Sequence, residues 1–149
     1  MVNHHREEGA ELRVLVVDDH IDAATSLTYL LQLLGCRSAL SFGGSMALRI
    51  ARLFRPDVVI LDLDMPGLDG CEVLQEMREL EETPAHTLYV CLTGRSEPGD
   101  RRRCEAAGFH RFYSKPLDPD ELAALIAEGR LRAEGLGGEG RPEGSGQHA

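Results

Sequence analysis

The sequence lacks several features that would place it in other classes. No run of apolar residues is long enough to cross a bilayer. The opening segment, Met1 to Glu11, is polar, so no secretory signal is expected within it. Positive charge is in deficit: the formal net charge is -9, whereas a free-standing nucleic-acid binder is usually basic. Cysteine is sparse. Cys36, Cys71, Cys91 and Cys104 are widely spaced and form no CxxC pair, so neither a zinc framework nor a disulfide framework is indicated. Cys91 lies in an apolar run and Cys71 and Cys104 in helical patterns, so buried thiols in a reducing cytoplasm are expected. The histidines show no ligand-like spacing with these cysteines, and no zinc site is read. Lysine is scarcest of all: of 16 basic residues, only Lys115 is not arginine. Arginine serves well on surfaces, so a lone lysine can mark a place that needs a compact ammonium.

What remains fits one domain, since 149 residues can bury one sizeable core but not two. Arg13 to Val17 is a short β-branched run that stops at Asp18-Asp19. Apolar residues then recur at helical spacing (Ile21, Ala24, Leu27, Leu31, Leu34) before Gly35, a natural stop. Arg37 to Phe42 predicts a second strand, and Ser45 to Phe54 a helix. Val58 to Leu61 reads as the most buried strand and ends at Asp62. A loop with Pro66, Gly67 and Gly70 leads to a helix over about Cys71 to Leu80. Thr87 to Leu92 predicts a fourth strand. Ser96 can cap a helix that runs to Ala107. Phe109 to Ser114 predicts a fifth strand, and Asp118-Pro119 opens a last helix with Leu122, Leu125 and Ile126 facing inward. Strand and helix thus alternate five times, which implies a parallel sheet with helices on both faces, a (βα)5 three-layer α/β sandwich. Residues 1–10 are expected to be flexible, 11–130 to form the domain, and 131–149 to be a disordered Gly-rich tail.

Ligands of open α/β sheets bind beyond the carboxyl ends of the strands. Those ends carry Asp18-Asp19, Asp62, Thr93 and Lys115. Three carboxylates brought together repel, and keeping all of them ionised requires a cation. An oxygen-rich site of this kind suits Mg²⁺. A lysine and a hydroxyl opposite it suit a tetrahedral anion, so the assembled site matches phosphoryl transfer to a carboxylate. Asp19 is also expected to cap the first helix.

Four motifs stand in order: Val16-Val17-Asp18-Asp19, then Leu61-Asp62-Leu63-Asp64-Met65-Pro66-Gly67-Leu68-Asp69-Gly70, then Leu92-Thr93-Gly94, then Lys115-Pro116. Together they resemble the receiver domain of bacterial two-component response regulators over about residues 11 to 130. The resemblance implies a flavodoxin-like fold with strand order 2-1-3-4-5. It implies that Asp62 is the phosphoacceptor, and that Asp18, Asp19, Asp62 and the backbone carbonyl of Asp64 hold Mg²⁺. Thr93 and Lys115 would bind the phosphoryl group, and Thr93 and Phe112 would act as the switch. The Lys115-Pro116 bond resembles one that is often cis in that family, and an X-Pro bond makes either isomer accessible, so the sequence leaves it open. The donor would be a histidine kinase or a histidine phosphotransfer protein, in the cytoplasm. A downstream protein would read the face made by the fourth helix, fifth strand and fifth helix, with no nucleic acid or membrane involved. Asp64 and Arg95 flank the motifs and are expected to pair and tune phosphoryl lifetime.

Two other readings are available. A degenerate receiver would bind proteins without phosphate. A phosphatase of the haloacid dehalogenase type also uses a strand-end Asp, and Asp62-x-Asp64 superficially matches its opening. Its acidic metal pair follows the nucleophile, however, whereas Asp18-Asp19 precedes it. Arg101-Arg102-Arg103 has Asp100 and Glu105 as neighbours, which favours a solvated or partner-facing helix surface over a nucleic-acid contact.

Overall fold

A strand buried on both faces reads as a near-continuous apolar run, and Val58 to Leu61 is such a run, buried at every residue up to and including Asp62. The computed structural model describes residues 10–94 and 98–135. Five strands, β1 (Arg13–Val17), β2 (Arg37–Ser41), β3 (Val58–Asp62), β4 (Leu88–Thr93) and β5 (Arg111–Ser114), alternate with five helices. These are α1 (Ile21–Leu33), α2 (Gly44–Phe54), α3 (Gly70–Glu79), α4 (Pro98–Ala107) and α5 (Pro119–Ala133). All strand pairs are parallel, in the order β2-β1-β3-β4-β5. This is the flavodoxin-like α/β sandwich expected from the motifs.

Side-chain alternation along the strands divides the core in two. Leu15, Val17, Val59, Leu61, Tyr89 and Cys91 pack with residues of α2, α3 and α4. Val14, Val16, Val58, Ile60, Leu88 and Val90 pack with Leu31 of α1 and with Leu122, Leu125 and Ile126 of α5. The helices therefore lie two on one face and three on the other. All four cysteines are buried free thiols, and burial pushes the Cys104 thiol up to about 11.

The helix ends follow local chemistry. Gly35 adopts φ 87° and closes α1, with Cys36 N–H donating back to Leu31 O at 3.0 Å. Asp118 and Glu121 form a reciprocal capping box with Pro119 in the first turn of α5. Two expectations about α1 need correction. Ile21 and Leu34 are exposed, and the inward face is formed by Ala24, Leu27, Leu30 and Leu31. The N-cap is His20, not Asp19, because the chain is still extended there (φ -85°, ψ 101°). The expected cap at Ser96 lies outside the described residues.

The fifth strand is two residues shorter than its hydrophobic pattern predicts. His110 N–H donates to Tyr89 O at 2.8 Å, as a strand residue would. The other ladder bond of Tyr89 is replaced by one to a side chain, for Tyr89 N–H donates to His110 Nδ1 at 3.0 Å. The bond fixes the neutral tautomer, with the proton on Nε2. Nε2 therefore meets Arg132 at 3.4 Å as donor to donor, not as a hydrogen bond. Burial first, then Arg132, Arg78 and Arg111, lower the His110 pKa from 6.5 to about 4. The unfolded chain thus binds a proton more readily between these values. Stability from this group is complete above pH 6.5 and is lost as pH falls toward 4, by up to about 3 kcal/mol. His110→Asn cannot titrate in this range. The difference in urea midpoint between the two proteins should shift in favour of the variant as pH falls through this window. A difference independent of pH would contradict the assignment.

Candidate functional site

Parallel register brings the motif residues to one edge. Val17 of β1 pairs with Leu61 of β3, Asp62 with Leu92 of β4, and Thr93 with Ser114 of β5. The ladder continues past the strands: Asp18 N–H donates to Ser41 O at 3.0 Å, Leu63 N–H to Leu92 O at 2.9 Å, and Lys115 N–H to Thr93 O at 2.9 Å. Asp18, Asp62, Thr93 and Lys115 are thereby fixed by the backbone of the sheet, not by loop geometry.

Asp62 has no exposed surface and Asp18 is 3 % exposed. Lys115 Nζ donates to Asp62 Oδ2 at 2.8 Å, and the N–H of Asp64 donates to Asp62 Oδ1 at 2.8 Å. Burial raises the Asp62 pKa and nearby Asp18 adds to the rise, while the bonds from Lys115 and Asp64 oppose it; the net direction is upward. For Lys115 burial opposes the charge, but the bond to Asp62 and the surrounding carboxylates win, and its pKa is raised. The Lys115-Pro116 bond, which the sequence left open, is cis.

The carboxylates of Asp18, Asp19 and Asp62 and the ring of His20 each present one ligand atom, all within 4.8 Å of one another. The sequence reading paired histidines only with cysteines and passed over His20. The signal was adjacency, since His20 directly follows the acidic pair. The donor set is otherwise hard oxygen, and it fits a small divalent cation that retains waters on its open side. A cleft of about 990 Å³ opens from Asp18 and Asp19 between α1 (Ser26, Leu27) and the Lys115–Leu117 turn.

Across the mouth, Asp64 is held by two donors from the end of β4: Thr93 Oγ1 at 3.3 Å and Gly94 N–H at 2.6 Å. Arg95, its expected partner, lies outside the described residues. Phe112 is half-buried and packs against the core shared with α3 and α4. The guanidinium of Arg101 lies over its ring, 4.7 Å from the centroid. Arg101 also pairs loosely with Glu105 at 3.7 Å, and Arg103 with Asp69 at 3.0 Å, so two of the three consecutive arginines face acidic neighbours.

Comparison with known proteins agrees with this site. Residues 14–127 match the family described as response regulator receiver domain. The chain is 36 % identical over 126 residues to the virulence sensor protein BvgS of Bordetella pertussis, covering 82 % of this chain and 10 % of that one. It is 39 % identical over 115 residues to the transcriptional regulatory protein PrrA of Mycobacterium tuberculosis, covering 76 % and 48 %. The chain therefore spans half or less of the length of these relatives. Among solved structures, the receiver domain of the sensor histidine kinase PA1611 from Pseudomonas aeruginosa superposes with a TM-score of 0.71 at 30 % identity, over 85 % of this chain and 99 % of that one. That structure holds a magnesium ion in its active-site cleft. The chain belongs to the response regulator receiver domain family. It is a phosphoryl acceptor of two-component signalling, and the pocket of Asp18, Asp19 and Asp62 is the place of that chemistry.

Asp69 has a part that the motif alone did not assign. Its Oδ1 accepts the N–H groups of Cys71 and Glu72 at 3.0 and 3.3 Å, capping α3, and it also receives Arg103 from α4. Asp-Gly before a helical pattern was the available signal. Asp69→Ala should destabilise the domain by about 1 kcal/mol in urea unfolding, and Asp69→Asn by less, because the amide oxygen still caps. Equal losses in both would show that the Arg103 contact, not the cap, dominates.

Proposed function

We propose that Asp62 is the phosphoacceptor. The observation that carries this is a carboxylate with no exposed surface, 2.8 Å from the only lysine in the chain, at the end of the most buried strand. A carboxylate oxygen of Asp62 attacks the phosphorus of a phosphohistidine. The P–N bond breaks, the imidazole nitrogen keeps the electron pair and takes a proton, and an acyl phosphate remains on Asp62. The donor is a histidine kinase or a histidine phosphotransfer protein in the cytoplasm. Two of the relatives named above are sensor proteins, which supports a place in a phosphorelay.

Asp18, Asp19 and Asp62, with the backbone carbonyl of Asp64, would hold Mg²⁺, which supplies neutralisation of charge on the phosphoryl oxygens. Lys115 passes from Asp62 Oδ2 to a phosphoryl oxygen. Thr93 gives up Asp64 and donates its hydroxyl to the phosphoryl group. Phe112 follows Thr93, and its ring leaves the guanidinium of Arg101. These two movements shift a two-state equilibrium that changes the face of α4, β5 and α5, where a downstream protein binds. Asp64, at the mouth of the site, and Arg95 set how long the acyl phosphate lasts.

Incubation with acetyl phosphate and Mg²⁺, followed by intact mass measurement, should add one phosphoryl group to the protein and none to Asp62→Ala. If the protein gains none even from a cognate phosphohistidine donor, it is a phosphate-independent binding module and the assignment of Asp62 falls.

A further inference from the structure

His20 is the one member of the acidic cluster that the phosphoryl-transfer reading leaves without a task. It occupies the N-cap of α1, yet its ring makes no capping bond to the helix. The ring turns instead toward the carboxylates. Nδ1 lies 3.4 Å from Asp18 Oδ1, 3.5 Å from Asp19 Oδ1 and 3.9 Å from Asp62 Oδ2. A divalent ion with bonds of about 2.1 Å sets its neighbouring ligands about 3.0 Å apart in an octahedron and about 3.4 Å apart in a tetrahedron. The distances from His20 to Asp18 and Asp19 are already within about 0.1 Å of the tetrahedral spacing and about 0.5 Å from the octahedral one, while Asp62 would have to close by about 0.5 to 0.9 Å to share the ion. The side chain is 61 % exposed, so water can reach the ring and complete the coordination shell. His20 N–H already donates to Asp18 Oδ1 at 2.9 Å, which ties the backbone under the ring to the same carboxylate.

We infer that His20 adds an imidazole nitrogen to the carboxylate cluster, so that the site prefers first-row transition ions such as Co²⁺ or Zn²⁺ over Mg²⁺. This rests on the metal reading given above and concerns which ion is taken. Oxygen-only clusters suit Mg²⁺, whereas an imidazole shifts the balance toward borderline ions, whose affinity for nitrogen donors rises along the transition series. The donor atom is Nδ1 of the neutral ring, with the other nitrogen carrying its proton toward solvent. Asp62 stays shared between the ion and Lys115, so an ion held this way would occupy the pocket that serves phosphorylation.

Isothermal titration of the full chain and of His20→Ala, with Co²⁺ and with Mg²⁺, tests this. Co²⁺ is also titrated against protein preloaded with Mg²⁺, so that only competition for the shared site is scored. Changes outside the ligand shell alone cost about 10–100-fold in affinity, so loss of a ligand should weaken Co²⁺ by at least about tenfold. Mg²⁺ binding should change by less than about twofold. Equal effects on both ions, or tighter binding of both once His20 is gone, would overturn the inference and leave the Mg²⁺ site intact. Failure of the unsubstituted chain to bind either ion would overturn the metal reading itself, and the inference with it.

Discussion

A carboxylate with no exposed surface stands at the carboxyl end of β3, close to two others and opposite a single ammonium. Charges 2.8 Å apart attract by about 6 kcal/mol at an effective dielectric of about 20, which is enough to hold the pair of Asp62 and Lys115 together. One ammonium can match only one carboxylate. The two remaining carboxylates, Asp18 and Asp19, match one divalent cation in charge, while the Asp62 pKa is raised first by burial and further by Asp18. The site is thus built to hold cation and phosphoryl group together.

The opposite edge of the sheet carries a carboxylate of a different kind. Asp57 is also fully buried, but its Oδ2 accepts Arg13 N–H at 2.8 Å and its Oδ1 meets His86 Nε2 at 2.7 Å. Both oxygens have partners within the fold, joining the starts of β1 and β3 to the turn before β4. Among the described residues Asp57 belongs to no cluster of three or more potential metal ligands. The same residue type, equally buried, is matched within the fold at one edge and stands in an acidic cluster at the other. What differs is the company of like charges, and parallel register alone decides which edge gathers them.

Most of this could be read from the residues. Short β-branched runs ending in Asp, Thr or Lys, separated by helical spacing, fix the sheet, and the sheet fixes the convergence of Asp18, Asp62, Thr93 and Lys115. Features that depend on side-chain direction were not legible. The pattern of Phe109 to Ser114 reads as strand throughout, yet His110 replaces a ladder bond with its own ring. Ile21 has the right spacing for the core but sits at the first turn of α1, beyond the reach of the sheet, and stays exposed. His20 was missed because a lone histidine has no signature until its ring direction is known. The bonds that Asp64 accepts from Thr93 and Gly94 also depend on side-chain direction and had no signal in the sequence.

The central claim is that the pocket stores a negative charge which a divalent cation relieves. Urea unfolding of the protein and of Asp62→Asn, each over a series of Mg²⁺ concentrations, tests this directly. Ligand linkage predicts that the midpoint of the unsubstituted protein rises with Mg²⁺, by about 2.7 kcal/mol once the ion reaches a hundred times its dissociation constant. Without Mg²⁺ the Asn variant should be the more stable of the two, and added Mg²⁺ should raise its midpoint far less. A midpoint indifferent to Mg²⁺ in both proteins, with Asp62→Asn no more stable than its parent, would contradict the account.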